Sequence, residues 1–397
     1  MIFRIEVWIS IASDRIPAGE MVCEIADDGK GRGAFRYSPD YLRRPDAFAL
    51  DPIALPLREG DFTVDHPGVF GVFEDSLPDD WGRRLLVRKH RIPRHQQSLP
   101  TLLLALGSAG LGALSYTDRE RPQESSNEAS VIYLERLVQA AERFEQGEEA
   151  DADISILLSA GSSPGGARPK VLVYDEARGE HYLAKFPSIK DPVDVVRIEA
   201  ATMNLAAKAG LNVPATRLVE CGGRSVLLVR RFDLISEVGR RHMISLRSLM
   251  QAKGYYQCRY GDMLSIVRKV SADPANDGEQ LFRQMVFNAV VNNTDDHLKN
   301  FWMVCDIKRG WRLSPAFDLV PNVGRNDEHV LFFDLDPVYP GRSNLEKLGR
   351  NWGIPRAAQV VDEVFAAVAR WRAEFQACGV PLADVERFSE IDELLRG

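Results

Sequence analysis

Apolar residues recur at every second position near the start of the chain. Phe3, Ile5, Val7 and Ile9 share one side of an extended strand, the period expected of a half-buried β-strand. Val22, Glu24 and Ala26 continue the two-residue step, and Asp27-Asp28-Gly29 predicts a turn. The stretch Phe73 to Gly82 opens a helix that runs through Arg83 and Leu86, with Pro78 and the surrounding acids suited to its start. Val131, Leu134, Leu137, Val138, Ala141 and Phe144 keep helical spacing, and Gly147 to Asp153 reads as an acidic loop closing that helix. Lys170–Tyr174 and His181–Phe186 predict a hairpin about the Asp175–Glu180 turn. A helix follows from Asp194 to Ala209, with Gly210 placed to cap it. Thr216–Glu220 and Ser225–Val229 predict a second hairpin about Cys221-Gly222-Gly223. Beyond Asp233 the pattern is mostly helical. One stripe is Leu281, Met285, Ala289 and Val290, stopping at Asn292; another is Val361, Val364, Phe365, Val368 and Trp371.

Between these elements, residues 118–129 carry no large apolar side chain and read as a linker. Leu102 to Leu114 is the most apolar run, but it is too short to span a membrane and contains Gly107, Gly110 and Gly112. A buried loop or strand is the reading its glycines suggest. Arg4 and Glu6 interrupt the N-terminal apolar residues, which argues against a signal peptide.

Composition adds little about the fold and more about what is excluded. The formal net charge of -7 argues against the whole chain acting as a free-standing nucleic-acid binder. The five cysteines are scattered without a CxxC pair. This indicates neither a zinc ribbon nor a redox pair and suits single thiols in a reducing cytoplasm.

The candidate chemistry begins after the Leu281–Val291 helix, at Asn293-Thr-Asp-Asp-His-Leu-Lys-Asn300. Asp295 and Asn300 have the Asp-x-x-x-x-Asn spacing of a phosphoryl-transfer loop, in which the Asp accepts the substrate hydroxyl proton and the Asn holds magnesium. The predicted hairpin of Trp302–Cys305 and Trp311–Leu313 then delivers Asp318, a second hard oxygen ligand. The same Asn-Thr-Asp-Asp residues are ordinary turn material, in which the second acid serves as a cap. A metal phosphoesterase is the other chemistry that Asp-Asp-His suggests, but none of the other six histidines lies in a paired or carboxylate-rich context in sequence.

Upstream, Gly161 to Lys170 is a glycine-rich turn entering a strand, where backbone N–H groups can approach phosphate oxygens. It matches neither a Walker A motif nor GxGxxG, and a plain hairpin approach is the alternative. Lys185 lies within an apolar strand, with Glu199 on the next helix as its candidate ion-pair partner; snorkelling from a sheet edge is the alternative. Arg230-Arg231-Phe232-Asp233 falls where a kinase crosses between lobes. There the backbone could read adenine and Asp233 a ribose, or the segment is a strand end. The order of these elements is that of a two-lobed kinase.

With these motifs in place, the sequence resembles the HipA family of bacterial serine/threonine kinases, the toxin halves of HipBA-type toxin–antitoxin modules. The resemblance rests on Glu74-Asp-Ser-Leu-Pro-Asp-Asp-Trp-Gly82, Ser163-Pro-Gly-Gly-Ala-Arg-Pro-Lys170, Leu183-Ala-Lys-Phe-Pro187, Val229-Arg-Arg-Phe-Asp233, the 293–300 stretch and Pro315-Ala-Phe-Asp318. It implies an α+β, two-lobed protein-kinase-like fold. Residues 1–122 would form a β-rich subdomain, 123–233 a kinase N-lobe and 234–397 a mainly helical C-lobe.

The resemblance also implies roles. Asp295 would be the base, with His297 and Lys299 beside the phosphates, and Asn300 and Asp318 would hold magnesium. Ser163, Gly165, Gly166, Ala167, Arg168, Pro169, Lys170, Lys185 and Glu199 would form the ATP-phosphate side, and Arg230, Arg231, Phe232 and Asp233 the adenine and ribose side. Ser163, or its neighbour Ser162, would be autophosphorylated. The implied partners are a HipB-like helix-turn-helix antitoxin, operator DNA only through that antitoxin, and a protein substrate such as an aminoacyl-tRNA synthetase; no membrane is implied. Two other readings share these residues: a small-molecule phosphotransferase of related fold, and a kinase-like antitoxin or DNA co-repressor.

Overall fold

The computed structural model describes residues 1–11, 14–26, 29–118, 129–159, 168–235, 239–254, 258–324 and 327–397. In chain order the strands are β1 (Ile2–Ile11), β2 (Asp14–Ile25), β3 (Gly31–Tyr37), β4 (Phe62–Val64), β5 (Leu114–Thr117), β6 (Ala129–Ser130), β7 (Lys170–Asp175), β8 (Glu180–Lys185), β9 (Thr216–Cys221), β10 (Arg224–Arg230), β11 (His242–Ser245), β12 (Trp302–Asp306) and β13 (Gly310–Leu313). The chain forms two compact units. The first comprises Met1–Ile189, Arg231–Ile244 and Val304–Arg309; the second comprises Lys190–Arg230, Ser245–Met303 and Gly310–Gly397.

In the first unit, an antiparallel sheet has the order β4-β3-β2-β1-β5. The alternation read at the N-terminus sets its buried face: Ile5, Val7 and Ile9 are all 0% exposed. Each such side chain contributes about 1.5–3 kcal/mol on burial. On β2 the inward residues are Met21 and Cys23, one position out of step with the Val22, Glu24, Ala26 series read from sequence. A register bulge at Val7/Trp8 precedes the hairpin to Asp14. The expected Asp27-Asp28 turn lies outside the described residues. Aromatic rings fill the space beneath this face, with Phe35 edge-on to Tyr37 at 4.9 Å and Phe73 edge-on to Tyr116 at 6.3 Å. Gly33 has no substitute here, because a Cβ would sit 2.0 Å from the Gly68 carbonyl oxygen.

The helices of this unit are α1 (Pro39–Leu42), α2 (Gly71–Glu74), α3 (Asp80–Lys89), α4 (Leu99–Leu106), α5 (Leu134–Gln146) and α6 (Asp151–Ser159). Leu102 to Leu106 is therefore helical, contrary to the loop or strand read from its sequence. Ser98 caps α4 by accepting the Thr101 amide, and Pro100 sits in its first turn. The acidic loop expected over 147–153 is shorter than read, because α6 starts at Asp151, where Arg143 Nε reaches Asp153 at 2.8 Å. β7 pairs antiparallel with β8 and parallel with β6. The segment 231–244 returns to close the unit. Arg240 Nη1 donates to the carbonyls of Ser108, Gly110 and Gly112, and the His242 ring Nε2 lies 2.7 Å from the Leu50 carbonyl oxygen.

The second unit holds α7 (Val195–Lys208), α8 (Leu246–Leu249), α9 (Tyr260–Val270), α10 (Pro274–Val291), α11 (Arg342–Asn351), α12 (Ala357–Val368), α13 (Trp371–Ala377), α14 (Leu382–Val385) and α15 (Glu390–Leu394). α10 is its axis, packed by α9 and α12. Every residue from Leu281 to Val291 is buried, so this part of the helix is enclosed on all sides. β9 and β10 form the expected hairpin, turning on Gly222 and Gly223, both at positive φ (56° and 74°) as a two-residue turn requires. Among the described residues no helix is long and apolar enough to cross a membrane.

Candidate active site

α10 ends at Asn292, which adopts a left-handed conformation (φ 59°, ψ 40°) and breaks the helix after its last buried turn. The chain emerges as Thr294-Asp295-Asp296-His297, followed by a single 3-10 turn at Leu298–Asn300. The two adjacent carboxylates have opposite fates. The Asp295 side chain is 81% exposed, and its Oδ1 lies 3.8 Å from His297 Nε2. Asp296 is 0% exposed.

Asp296 is held by four donors. Oδ2 accepts from Tyr260 Oη at 2.6 Å and faces His329 Nδ1 at 3.1 Å; Oδ1 accepts the amides of Val330 at 2.9 Å and Leu331 at 3.1 Å. A carboxylate offers about four lone-pair sites, so its capacity is filled. The network continues inward: Asn288 Nδ2 donates to Tyr260 Oη at 3.1 Å, and Asn293 Nδ2 donates to Asn288 Oδ1 at 3.0 Å. Burial pushes the Tyr260 phenol well above its ordinary pKa, and the charge of Asp296 adds to this. His329 therefore is paired with a carboxylate, which corrects the view that no other histidine is. The sequence sets Asp327-Glu328 beside His329 but does not reveal the pairing with Asp296, because the two residues are 33 positions apart and share no motif.

Asn300 is 7% exposed and donates Nδ2 to the Asp295 carbonyl at 2.9 Å. That bond fixes the amide's orientation and turns its oxygen, a hydrogen-bond acceptor and metal-ligand atom, the other way. Lys299 contributes its carbonyl to Trp302 Nε1 at 2.6 Å, which ties the 3-10 turn to β12. β12 and β13 form the expected hairpin, and the Ser314 amide closes it onto the Trp302 carbonyl at 2.8 Å. The Ala316 amide is then held by the Asn212 carbonyl at 2.7 Å, and Asp318 follows with φ +57°. A non-glycine residue in that region costs backbone energy and is commonly retained at functional positions. Among the described residues no group of three or more His, Cys, Asp or Glu side chains gathers to hold a metal. The Asn300 amide oxygen and the Asp318 carboxylate are hard oxygen ligands of the chemical type that magnesium takes alongside waters and phosphate oxygens.

Of the described residues assigned to the phosphate side, Arg168, Pro169, Lys170 and Lys185 lie in the first unit. Lys170 pairs directly with Lys185 across β7 and β8. Directly paired residues project from one face of a sheet, and both lysines are less than a tenth exposed (6% and 8%). Pro169 precedes them and accepts the Phe186 amide at 2.9 Å, while Arg168 is exposed. Ser162, Ser163, Gly165, Gly166 and Ala167 lie outside the described residues. In the second unit Glu199 is 5% exposed on α7, and Arg230 ends β10 exposed.

Arg231 and Asp233 lie in the first unit as a buried pair, with Nη2 to Oδ2 at 2.7 Å. Asp233 Oδ2 also accepts the Gly112 amide at 2.9 Å. This carboxylate thus anchors the returning segment, a structural role the sequence reading missed. Phe232 between them is half-buried.

Comparison with known proteins follows this arrangement. Residues 16–117 match the HipA N-terminal domain, and residues 162–371, more than half of the chain, match the HipA-like C-terminal domain. The chain belongs to the HipA family. It is 34% identical over 155 residues to "Putative kinase Y4mE" of Sinorhizobium fredii, covering 36% of this chain and only 35% of that protein. It is 24% identical over 382 residues to "Putative kinase Y4dM" of the same organism, covering 90% of each. A solved structure of the Shewanella oneidensis MR-1 toxin–antitoxin system HipA, HipB and its operator DNA complex aligns over 98% of this chain and 95% of that one, with a TM-score of 0.69 and 18% identity. At that identity the likeness concerns the fold, which is the α+β, kinase-like HipA fold expected from the sequence.

Proposed function

We propose that this chain is an ATP- and magnesium-dependent serine/threonine protein kinase of the HipA type. The observation that carries the reading is the division of labour in 295–300. Asp295 presents its carboxylate to solvent, while the Asp295 carbonyl fixes the Asn300 amide so that its oxygen remains for a cation. In this reading Asp295 takes the proton of an acceptor hydroxyl as that oxygen bonds to the γ-phosphorus; the bond to the β-phosphate oxygen breaks and ADP leaves. Magnesium, bound through Asn300 and Asp318, would neutralise charge on the phosphates. His297 and Lys299 flank the transferred group. Lys170, Lys185 and Arg168, with the glycine-rich 163–170 segment, would take the ATP phosphates, and Glu199 is the expected ion-pair partner of Lys185. The main chain of Arg230, Arg231 and Phe232 would read the adenine. Asp233, already bound to Arg231 and Gly112, is left out of this set.

The protein target, autophosphorylation at Ser163 or Ser162, and a HipB-like antitoxin that links the chain to operator DNA belong to the same proposal. The support for them is family membership, the kinase names of two relatives and the HipB–operator complex of the Shewanella oneidensis protein. Incubation with γ-labelled ATP and magnesium is expected to label the chain itself or a protein in a cell lysate, and Asp295→Gln should abolish the label. An intact chain that labels no protein would overturn the reading. Turnover on sugars or other small hydroxyl compounds in that experiment would redirect it to a small-molecule phosphotransferase.

A further inference from the structure

The Asp296 network joins three stretches that are distant in sequence. Tyr260 begins α9, Asp296 follows the candidate base, and His329, Val330 and Leu331 lie in a chain excursion after Asp318. The excursion is a small hairpin. Glu328 bridges Val338, the His329 amide donates to the Pro337 carbonyl at 2.9 Å, and the Phe333 amide closes the tip on the Asp336 carbonyl. Its base is packed: Phe333 stacks on Tyr260 at 5.8 Å and meets His329 edge-on at 4.9 Å. Its tip is open, with Leu335 74% exposed between the exposed Asp334 and Asp336. The Val330 amide is shared between Asp296 Oδ1 and the Thr294 carbonyl, so the excursion grips the residue before Asp295 and the residue after it.

We propose that Asp296 is a positioning residue. It holds the main chain on both sides of Asp295 to the 328–338 excursion, so that the reactive loop and the excursion order or loosen as one body. The inference rests on the kinase reading for its consequence in turnover, but not for its structural part. Asp296 is suited to the task because it is purely an acceptor with four donors converging on it. Asparagine has nearly the same shape but reverses the polarity of one arm. Its oxygen can keep the Val330 and Leu331 amides, whereas its NH2 would face the Tyr260 hydroxyl and the His329 ring N–H, both of which need an acceptor. Asp295→Asn removes the same charge one residue away and touches none of these bonds, so it serves as the matched control.

The test uses the full chain in three forms: Asp296→Asn, Asp295→Asn and the double variant. Three quantities are read: kcat, MgATP affinity by calorimetry, and amide hydrogen exchange. Asp296→Asn is expected to lower kcat by roughly 100-fold, the effect of about 1 Å of misplacement, with MgATP affinity changed less than about threefold. Exchange should quicken together at 294–300 and 329–331, while α10 and α12 stay protected. Asp295→Asn should lose turnover with exchange unchanged, and the double variant should be no slower than Asp295→Asn, because Asp296 acts through that residue. Three results would overturn the proposal: near-normal kcat in Asp296→Asn, exchange that rises at 329–331 alone, or loss of MgATP binding with α10 and α12 exposed. If the unaltered chain transfers no phosphate, the kinase reading fails, and the exchange pattern still decides whether the two segments are coupled.

Discussion

Arg231 and Asp233 face each other across 2.7 Å with both side chains 2% exposed, and the same carboxylate accepts the Gly112 amide. Burial alone would raise the Asp233 pKa; the charge and hydrogen bonds of Arg231, with Gly112 and Arg240, outweigh it and hold the group below the ordinary carboxylate range. Arg231→Ala would leave a buried charge unpaired, which typically costs about 3–5 kcal/mol. Urea unfolding should show that loss, and a shift under about 1 kcal/mol would mean that solvent reaches the site. Because the folded pKa is depressed, this carboxylate's contribution is complete above about pH 4 and is lost as pH falls below it. Asp233→Asn should lack that acid-dependent component.

His242 responds to pH in a different range. Burial lowers its pKa to about 4, although the hydrogen bond to the Leu50 carbonyl opposes the shift. The unfolded imidazole takes its proton near pH 6.5, so the unfolded state binds more protons between those values. Stability is therefore expected to be complete above about pH 6.5 and to decline as pH falls toward 4. His242→Gln should flatten that part of a stability–pH profile measured by thermal unfolding. An unchanged slope would place the titrating group elsewhere.

Asn300→Ala removes the amide oxygen proposed for magnesium and releases the Asp295 carbonyl at the same time. The magnesium concentration for half-maximal phosphate transfer should rise by at least about tenfold. Asn300→Asp restores an oxygen but sets a carboxylate against that carbonyl, so it should recover only part of the loss. A magnesium titration with unchanged midpoints would remove Asn300 from the metal site.

Gly349 in α11 has no room for a methyl group. A Cβ there would lie 2.5 Å from Phe282 Cζ and 2.6 Å from Ala357 Cβ. Gly349→Ala gains helix propensity but overpacks the contact with α10 and α12, and a net loss of about 1–3 kcal/mol is expected in chemical denaturation. A more stable variant would show that α11 shifts freely.

What could be read from the sequence followed from local periodicity. The Leu281–Val290 stripe marks α10 because its apolar spacing is helical. Its first turns are hidden because Asp277 is polar in sequence yet buried, taking the Arg312 guanidinium and the Leu313 amide. The β7–β8 and β9–β10 hairpins are visible because charged or glycine turns separate apolar runs. α4 is not legible because a short, uniformly apolar run has no period to distinguish helix from strand, and Gly107, Gly110 and Gly112 just beyond it suggest a loop. Asp295, Asn300 and Asp318 could be picked out because their chemistry lies in a spacing. The Tyr260–Asp296–His329 cluster could not, since it exists only once three distant segments have folded together.

The first unit is completed by residues made late. Its Gly112 amide and its Ser108, Gly110 and Leu50 carbonyls are satisfied by Asp233, Arg240 and His242, which leave the ribosome only after α7 and the β9–β10 hairpin. A nascent chain halted at Ile189 therefore holds its N-terminal sheet without the segment that seals it, and it should be cut by protease within 106–114 far faster than the full chain. Order of synthesis thus leaves these backbone groups of the N-terminal portion waiting for partners from sequence translated much later.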